Sequence, residues 1–472
     1  MKQTFFTIVF LFTVAGYFSG CKSDNSSADH TSPAEVWLTK ADGTVKFQRQ
    51  QESPEFSDAQ VSGVAIEVDT ATAYQSMDGF GYTLTGGSAT LIHQLESQKR
   101  EMLLNELFST DENAIGVSYL RVSIGASDLS DHVFSYCDVP AGQTDPDLNN
   151  FDLGPDKADL IPLLKEILKI NPEIKILGSP WSPPVWMKTN ASSIGGSLKP
   201  EFYPSYARYF VKYIQAMAAE GIRIDAVTVQ NEPLHPGNNP SLLMLAADQA
   251  DFVKNHLGPA FETAGINTKI IIYDHNADRI DYPTEILSDQ QASQYIDGTA
   301  FHLYGGKIED LSQLHTAFPD KNLYFTEQWV GAPGDFASNL SWHVKNLIIG
   351  ASRNWCKTVL EWNLAADPNQ DPHTEGGCTE CLGAITIGDG QVQKNVAWYI
   401  IAHASKFVRP GSQRIATNMP DGLPNVAFKT PDGKNVLIIQ NESETEKSFV
   451  IRVGARNFQT RLPGQAIVTY VW

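Results

Sequence analysis

Positive charge is scarce in this 472-residue chain. Its 35 Lys and Arg stand against 54 Asp and Glu, giving a net charge of −19 and a pI near 5.0. A nucleic-acid backbone is held by clustered Lys and Arg, so no nucleic-acid partner is expected. Cysteine is scarcer still, at five residues, which excludes a disulfide-built scaffold. Cys378-Thr-Glu-Cys381 has the spacing of half a zinc site, but no second pair matches it. Zinc needs about four ligands, so the pair reads as a local loop disulfide or as two free thiols, and no metal is expected. The chain also lacks a Gly-rich phosphate loop, a Ser nucleophile elbow and a metal-binding His pair at helical spacing. No cofactor is expected. Beyond the first twenty residues there is no apolar run long enough to cross a bilayer.

The N-terminus reads as a targeting segment. Lys2 precedes an apolar stretch from Thr4 to Tyr17, and Phe18-Ser19-Gly20-Cys21 follows. Small residues before a cysteine resemble a bacterial lipoprotein signal, with cleavage before Cys21 and lipid on its thiol. Residues 1–21 are therefore set aside, and residues 22–33, rich in Ser, Asp and Asn, read as a flexible tether. The expected product is exported and lipid-anchored, on the periplasmic or cell-surface face of an outer membrane. It touches the membrane only through that lipid and is a monomer.

From about residue 76 to residue 404, strands alternate with helices. Asp159 to Ile170 places Leu160, Leu163, Leu164, Ile167 and Leu168 at helical spacing, and Asn171-Pro172 stops it. Ser205 and Ser241 are predicted to cap helices ending near Gly221 and Gly265, and 338–355 is predicted helical. Strands are predicted at 77–81, 118–124, 175–179, 224–230, 269–274, 299–304, 322–326 and 358–362. Eight such repeats indicate a (β/α)8 TIM barrel; an open doubly wound sheet is the runner-up. The flanks, 34–75 and 405–472, alternate with period two, and their strands are expected to meet in one side β-sandwich.

The ends of the predicted strands carry Arg121 to Asp128, Trp181 to Trp186, Asn231-Glu232-Pro233, Asp274-His275-Asn276, His302-Leu303-Tyr304, Glu327-Gln328-Trp329 and Trp362-Asn363. Aromatic faces stack on sugar rings, and amides and carboxylates bind hydroxyls, so these mouths suit a carbohydrate. Two apolar strands ending on Glu232 and Glu327 point to paired-carboxylate hydrolysis of a glycosidic bond.

Asp-Gly-Phe-Gly at 78–81, Arg-Val-Ser-Ile-Gly at 121–125 with Asp128, Ser-Pro-Trp-Ser-Pro-Pro at 179–184 and Val-Gln-Asn-Glu-Pro at 229–233 resemble glycoside hydrolase family 30. Phe-Thr-Glu at 325–327, Trp-Asn-Leu-Ala at 362–365 and Ser-Lys-Phe-Val-Arg-Pro-Gly at 405–411 share that resemblance. The resemblance implies Glu232 as acid/base and Glu327 as nucleophile of a retaining β-glycosidase. Asp128, Trp181, Asn231, His302, Tyr304, Trp329, Trp362 and Asn363 would bind substrate, with Trp186 a further platform. Tyr304 would also donate to Glu327, and Arg121 would support a catalytic carboxylate. The charge of Glu327 is expected to raise the pKa of Glu232. An endo-β-1,6-glucanase is the leading expectation. A β-glucosidase, glucosylceramidase, xylan- or fucosyl-type β-glycosidase is the enzymatic alternative, and a glycan-binding lipoprotein the non-enzymatic one. The sequence departs from the glucosylceramidase pattern at 83–88, at Gln328-Trp329 and at 367–372, and the last two sites are expected to decide the substrate.

Overall fold

The computed structural model describes Met1 and residues 33–472. The signal, Cys21 and residues 22–32 of the tether lie outside the described residues. Among the described residues, no helix is long and apolar enough to cross a membrane.

Eight parallel strands close into a barrel: β1 (Gly79–Thr83), β2 (Tyr119–Ser123), β3 (Lys175–Ser179), β4 (Ala226–Thr228), β5 (Lys269–Asn276), β6 (Ile296–His302), β7 (Asn322–Glu327) and β8 (Cys356–Asn363). Each pairs with its neighbours in sequence, and β8 returns to β1, as a barrel requires and an open sheet does not. The helix predicted at 159–170 forms as Leu160–Ile170, its buried face led by Leu160, Leu163, Leu164 and Ile167. The two predicted caps, Ser205 and Ser241, are not caps. The helix after β3 runs Tyr203–Ala219, with Pro204 setting its first turn. Ser205 lies inside it, and its hydroxyl donates to the Pro146 carbonyl at 2.8 Å. The helix before β5 starts at Ala246, because the Ser241 hydroxyl is occupied by the Gly195 N–H at 2.9 Å in a loop brace. The segment predicted helical from 338 begins at Phe336 and continues as a π-helix over Val344–Ala351.

The side module is a nine-stranded sheet that folds back on itself, drawing on both ends of the chain. Glu35–Thr39 pairs with Ile467–Val471, and Ala65–Ser76 joins Gln413–Thr417 on one side to Lys447–Val453 on the other. Two of its strands, Gln413–Thr417 and Arg456–Leu462, were not predicted, since their polar residues hide the alternation. Strand Asn435–Gln440 shows why the module and the barrel are inseparable. Leu437 and Ile439 enter the core between the two halves of the sandwich, while Val436 and Ile438 join the core shared with the barrel. Period two thus feeds two cores from one strand. The barrel strand predicted to start at Met77 starts at Gly79, because the preceding sandwich strand runs on to Ser76.

Inside the barrel, Tyr119, Leu177, Ala226, Ile271, Ala300, Tyr324 and Leu360 form one buried apolar layer. Two residues further along, the same inward positions hold Arg121, Ser179, Thr228, His302, Thr326 and Trp362. On β5 the step is three, from Ile271 to Asp274. There Tyr273 and Asp274 take positive φ (72° and 65°) and the register with β6 shifts. This bulge turns Asp274 inward with the others. The apolar layer is a floor and the polar layer above it is the base of the mouth.

Candidate active site

Arg121 and Asp274 organise that polar layer, and both are fully buried. Asp274 Oδ2 accepts from Arg121, Ser179 and Thr228, each at 2.8 Å. Its Oδ1 accepts from Thr326 Oγ1 at 2.6 Å and faces His302 Nε2 at 3.1 Å. Arg121 also donates to Glu327 Oε2 at 2.5 Å and to Asn231 Oδ1 at 2.6 Å. Tyr304 donates to the other Glu327 oxygen at 3.0 Å. His302 Nδ1 stands 3.2 Å from Glu232 Oε1 and 3.8 Å from Glu327 Oε1. Glu232 itself takes φ +44°, a conformation costly for a residue with a side chain, and its N–H donates to the Asp274 carbonyl at 3.0 Å. One oxygen of Glu232 and one of Glu327 lie within 4.8 Å of each other. Both carboxylates open into a cavity of about 380 Å³, lined also by Asp128, Trp181, Trp329, Trp362, Tyr304 and His275. Paired carboxylates under tryptophans, in a cavity of ligand size, match what glycosidic hydrolysis requires.

Residues 77–408 match the glycosyl hydrolase family 30 TIM-barrel domain and residues 411–470 the family's beta sandwich domain. The chain belongs to glycoside hydrolase family 30. It is 33% identical over 432 residues to an endo-1,6-beta-D-glucanase of Aspergillus fumigatus, covering 85% of this chain and 86% of that protein. It is 31% identical over 441 residues to the lysosomal acid glucosylceramidase of Mus musculus, covering 87% and 84%. Among solved structures, the endo-beta1,6-glucanase BT3312 superposes with a TM-score of 0.87 at 38% identity, covering 93% of this chain and 99% of that one.

The barrel of this family 30 hydrolase gathers most of the predicted site residues at one mouth and leaves some elsewhere. Glu232, Glu327, Asp128, Trp181, Trp329, Trp362 and Tyr304 line the cavity. Asn231 lies beneath it, its side-chain oxygen held by Arg121. His302 is fully buried behind the carboxylates, wedged between Glu232 and Asp274, so it supports Glu232 instead of lining the cavity. Asn363 turns away from the cavity as well: its amide donates to the Cys381 carbonyl at 3.2 Å and steadies the loop after β8. Trp186 is buried against Phe202, with its indole N–H on the Cys137 carbonyl at 2.8 Å, so it is packing and not a sugar platform. From the loop after β8, Cys378 and Cys381 face the cavity; residues 367–372 do not. Those two cysteines form a disulfide, the first of the alternatives the sequence left open. Sequence reasoning placed His275 and Asn276 at the mouth of β5, on the leaving-group side, and both line the cavity; it gave no role to Asp274, the first residue of the same Asp-His-Asn run. His235 and Asn238, also on the rim, carry no signal beyond lying just past Glu232.

Burial works to raise Asp274, but the Arg121 charge and the bonds from His302 and Thr326 outweigh it and hold the carboxyl far below its usual range. Burial works against a charged His302, yet Glu327, Asp274 and Glu232 around it lift it to about 9. Burial pushes Glu327 up, opposed by His302 and Arg121. Glu232 is lowered: burial would raise it, and the hydrogen bond and charge of His302 win. The expected direction for Glu232 is therefore reversed, because a cation the sequence could not place stands against it. Burial brings His275 down to about 4, so it is neutral near pH 7. Burial, with the charges of Glu327 and Glu232, lifts Asp128 to about 7. Glu232, His302 and Glu327 come close enough together to suggest metal ligation. Their donor set suits it badly, since Arg121 and a protonated His302 already occupy the carboxylates and would repel a cation.

Proposed function

We propose that this hydrolase cleaves β-1,6-linked glucan with retention of configuration, Glu327 acting as nucleophile and Glu232 as acid/base. The separation of the two carboxylates carries the mechanistic part. Oxygens within 4.8 Å leave Glu327 able to reach the anomeric carbon, whereas an inverting pair needs about 6.5–9.5 Å to seat a water.

In the first step Glu327 attacks the anomeric carbon as the bond to the leaving oxygen breaks, and Glu232 gives that oxygen a proton. The proton is close at hand. Transfer from His302 Nδ1 across 3.2 Å makes Glu232 the acid and leaves His302 neutral, its Nε2–H still donating to Asp274. Once Glu327 is esterified, one negative charge is gone from the site. Glu232, now ionised, takes a proton from water, which attacks the same carbon and frees Glu327. Arg121 and Tyr304, each donating to one Glu327 oxygen, keep the nucleophile oriented and stabilise it as a leaving group. Arg121 holds the oxygen of Asn231, which presents the amide N–H₂ to the sugar 2-hydroxyl. Trp181 and Trp362 pack 5.4 Å apart against the guanidinium and shape the floor for the reacting sugar, with Asp128 beside them and Trp329 as platform for the next residue.

The linkage rests on relatives: the 38% identity to an endo-beta1,6-glucanase over nearly the whole chain, and the departures from the glucosylceramidase pattern. A glucosyl-lipid substrate is the second reading, favoured by the 31% identity to a glucosylceramidase. Product analysis of the purified chain on linear β-1,6-glucan, with NMR of the first-formed anomer, tests both parts. β-Configured oligosaccharides are expected. Cleavage of a glucosyl lipid with no product from the glucan would overturn the substrate, and an α-anomer would overturn the mechanism.

A further inference from the structure

The Cys378–Cys381 disulfide closes a loop with a sequence separation of only 3. So short a loop removes little chain entropy from the unfolded state, and the barrel it belongs to already has a continuous buried core. Cys137 and Cys356 are buried and unpaired. The one disulfide among the described residues thus sits where it adds least to global stability, and both of its cysteines face the catalytic cavity.

Its surroundings indicate a local task. On one side, Cys381 pairs with Gly331 in a short antiparallel ladder, Val330 opposite Leu382, so the strand that follows Trp329 is fixed to the disulfide. The Ala332 N–H adds a bond to the Glu380 carbonyl at 2.8 Å, and Asn363 donates to the Cys381 carbonyl. On the other side, the segment before Cys378 grips Asp128. Thr374 N–H donates to the Asp128 carbonyl at 2.9 Å. Gly377 comes so close that a Cβ there would stand 2.4 Å from the same oxygen. Cys378 and Cys381 also pack in one apolar group with Leu129, Trp181, Trp329 and Trp362. The disulfide is the link between the wall bearing Trp329 and the loop bearing Asp128.

We propose that the Cys378–Cys381 disulfide is a positioning element for glycan binding: it fixes Asp128 and Trp329 relative to each other across the cavity, so that the oxidised enzyme binds its sugar chain more tightly than the reduced one. This rests on the reading that those two side chains contact sugar. It leaves Glu232 and Glu327 untouched, since Arg121, His302 and Tyr304 hold them from the barrel side. Reduction by a dithiol passes two electrons and two protons to the S–S bond, giving two thiols and the cyclic disulfide of the reagent. Among the described residues no other bond would be affected.

The test compares oxidised wild type, dithiothreitol-treated enzyme alkylated after reduction, and the Cys378→Ser/Cys381→Ser variant on soluble β-1,6-gluco-oligosaccharides. KM is expected to rise about tenfold in both altered forms, with kcat within about threefold and only a small drop in melting temperature. Thr374→Val, which removes the hydroxyl that donates to the Asp128 and Asn239 carbonyls without touching sulfur, is expected to raise KM in the same direction. Unchanged KM in the reduced and double-Ser enzymes overturns the proposal. So does a fall in kcat and melting temperature that accounts for the whole loss, since that marks a structural bond. If oxidised wild type cleaves no β-glucan, the substrate reading fails instead, and the same comparison on whichever β-glucoside it does cleave still decides the role of the disulfide.

Discussion

Replacing Arg121 by methionine removes a buried cation that two buried carboxylates share, Asp274 at 2.8 Å and Glu327 at 2.5 Å. The methionine side chain matches the arginine stem as far as Nε and ends two bonds short of the guanidinium nitrogens, so the charge is lost together with the guanidinium contacts to Trp181 and Trp362. Stripping one partner from a buried ion pair costs about 3–5 kcal/mol, because the other charge stays desolvated. Ser179, Thr228, Thr326 and His302 still serve Asp274 after the change, which places the expected cost at the lower end, about 3 kcal/mol. Urea unfolding followed by tryptophan fluorescence at constant slope reads this as a shift in midpoint. A second readout is independent of stability. Arg121 is one of the groups that hold Glu327 down, and an opposite charge at that distance is worth about 1–3 pKa units. Without it Glu327 ionises only at higher pH, so the acidic limb of kcat/KM is expected to move up by about one unit or more. Adding Asp274→Asn neutralises the orphaned charge and is expected to restore part of the stability but none of the activity. A single-variant cost below about 1 kcal/mol, an unmoved acidic limb, or a double variant that shows the full sum of the two losses would refute the reasoning.

Three further outcomes follow from the same geometry. Glu327→Gln is expected to abolish turnover while oligosaccharide affinity by calorimetry stays within a few-fold, and Glu232→Gln to lower kcat by about 10²–10⁴; a Glu327→Gln enzyme that still turns over would remove the nucleophile assignment. His302 is raised to about 9 in the folded chain, so its stabilisation is complete below the unfolded value of about 6.5 and is lost as pH rises through about 9. Melting temperature should therefore decline between those limits in wild type and decline less in His302→Gln; parallel curves would contradict a protonated His302. Trp329→Ala should raise KM on β-1,6-glucan about tenfold with little change in kcat, whereas Trp186→Ala, whose ring is buried away from the cavity, should lower thermal stability instead; equal KM effects would show that the cavity lining is misread.

The sequence alone determined the barrel, its side sandwich and the two strand-end glutamates that share its mouth. Strand periodicity, helix stops and strand-terminal polar residues are written in consecutive residues, and a closed barrel brings all strand ends to one place whatever the loops do. Glu232 and Glu327 were legible because a carboxylate ending an apolar strand stands out within a few residues. Asp274 did not stand out, because its importance lies in donors from β2, β3, β4, β6 and β7 that meet only when the barrel closes, and a bulge in β5 decides that it points inward. The same closure set His302 against Glu232 and reversed the direction of its pKa. Trp186 and Asn363 have the right chemistry for a sugar site, but loop packing turned them to other tasks. The tie between Cys378, Cys381 and Asp128 likewise arises from two loops 246 residues apart. Local pattern specifies which elements form and what ends them. Which buried charges balance, and which side chains the mouth exposes, depends on distances between strands that no stretch of sequence contains.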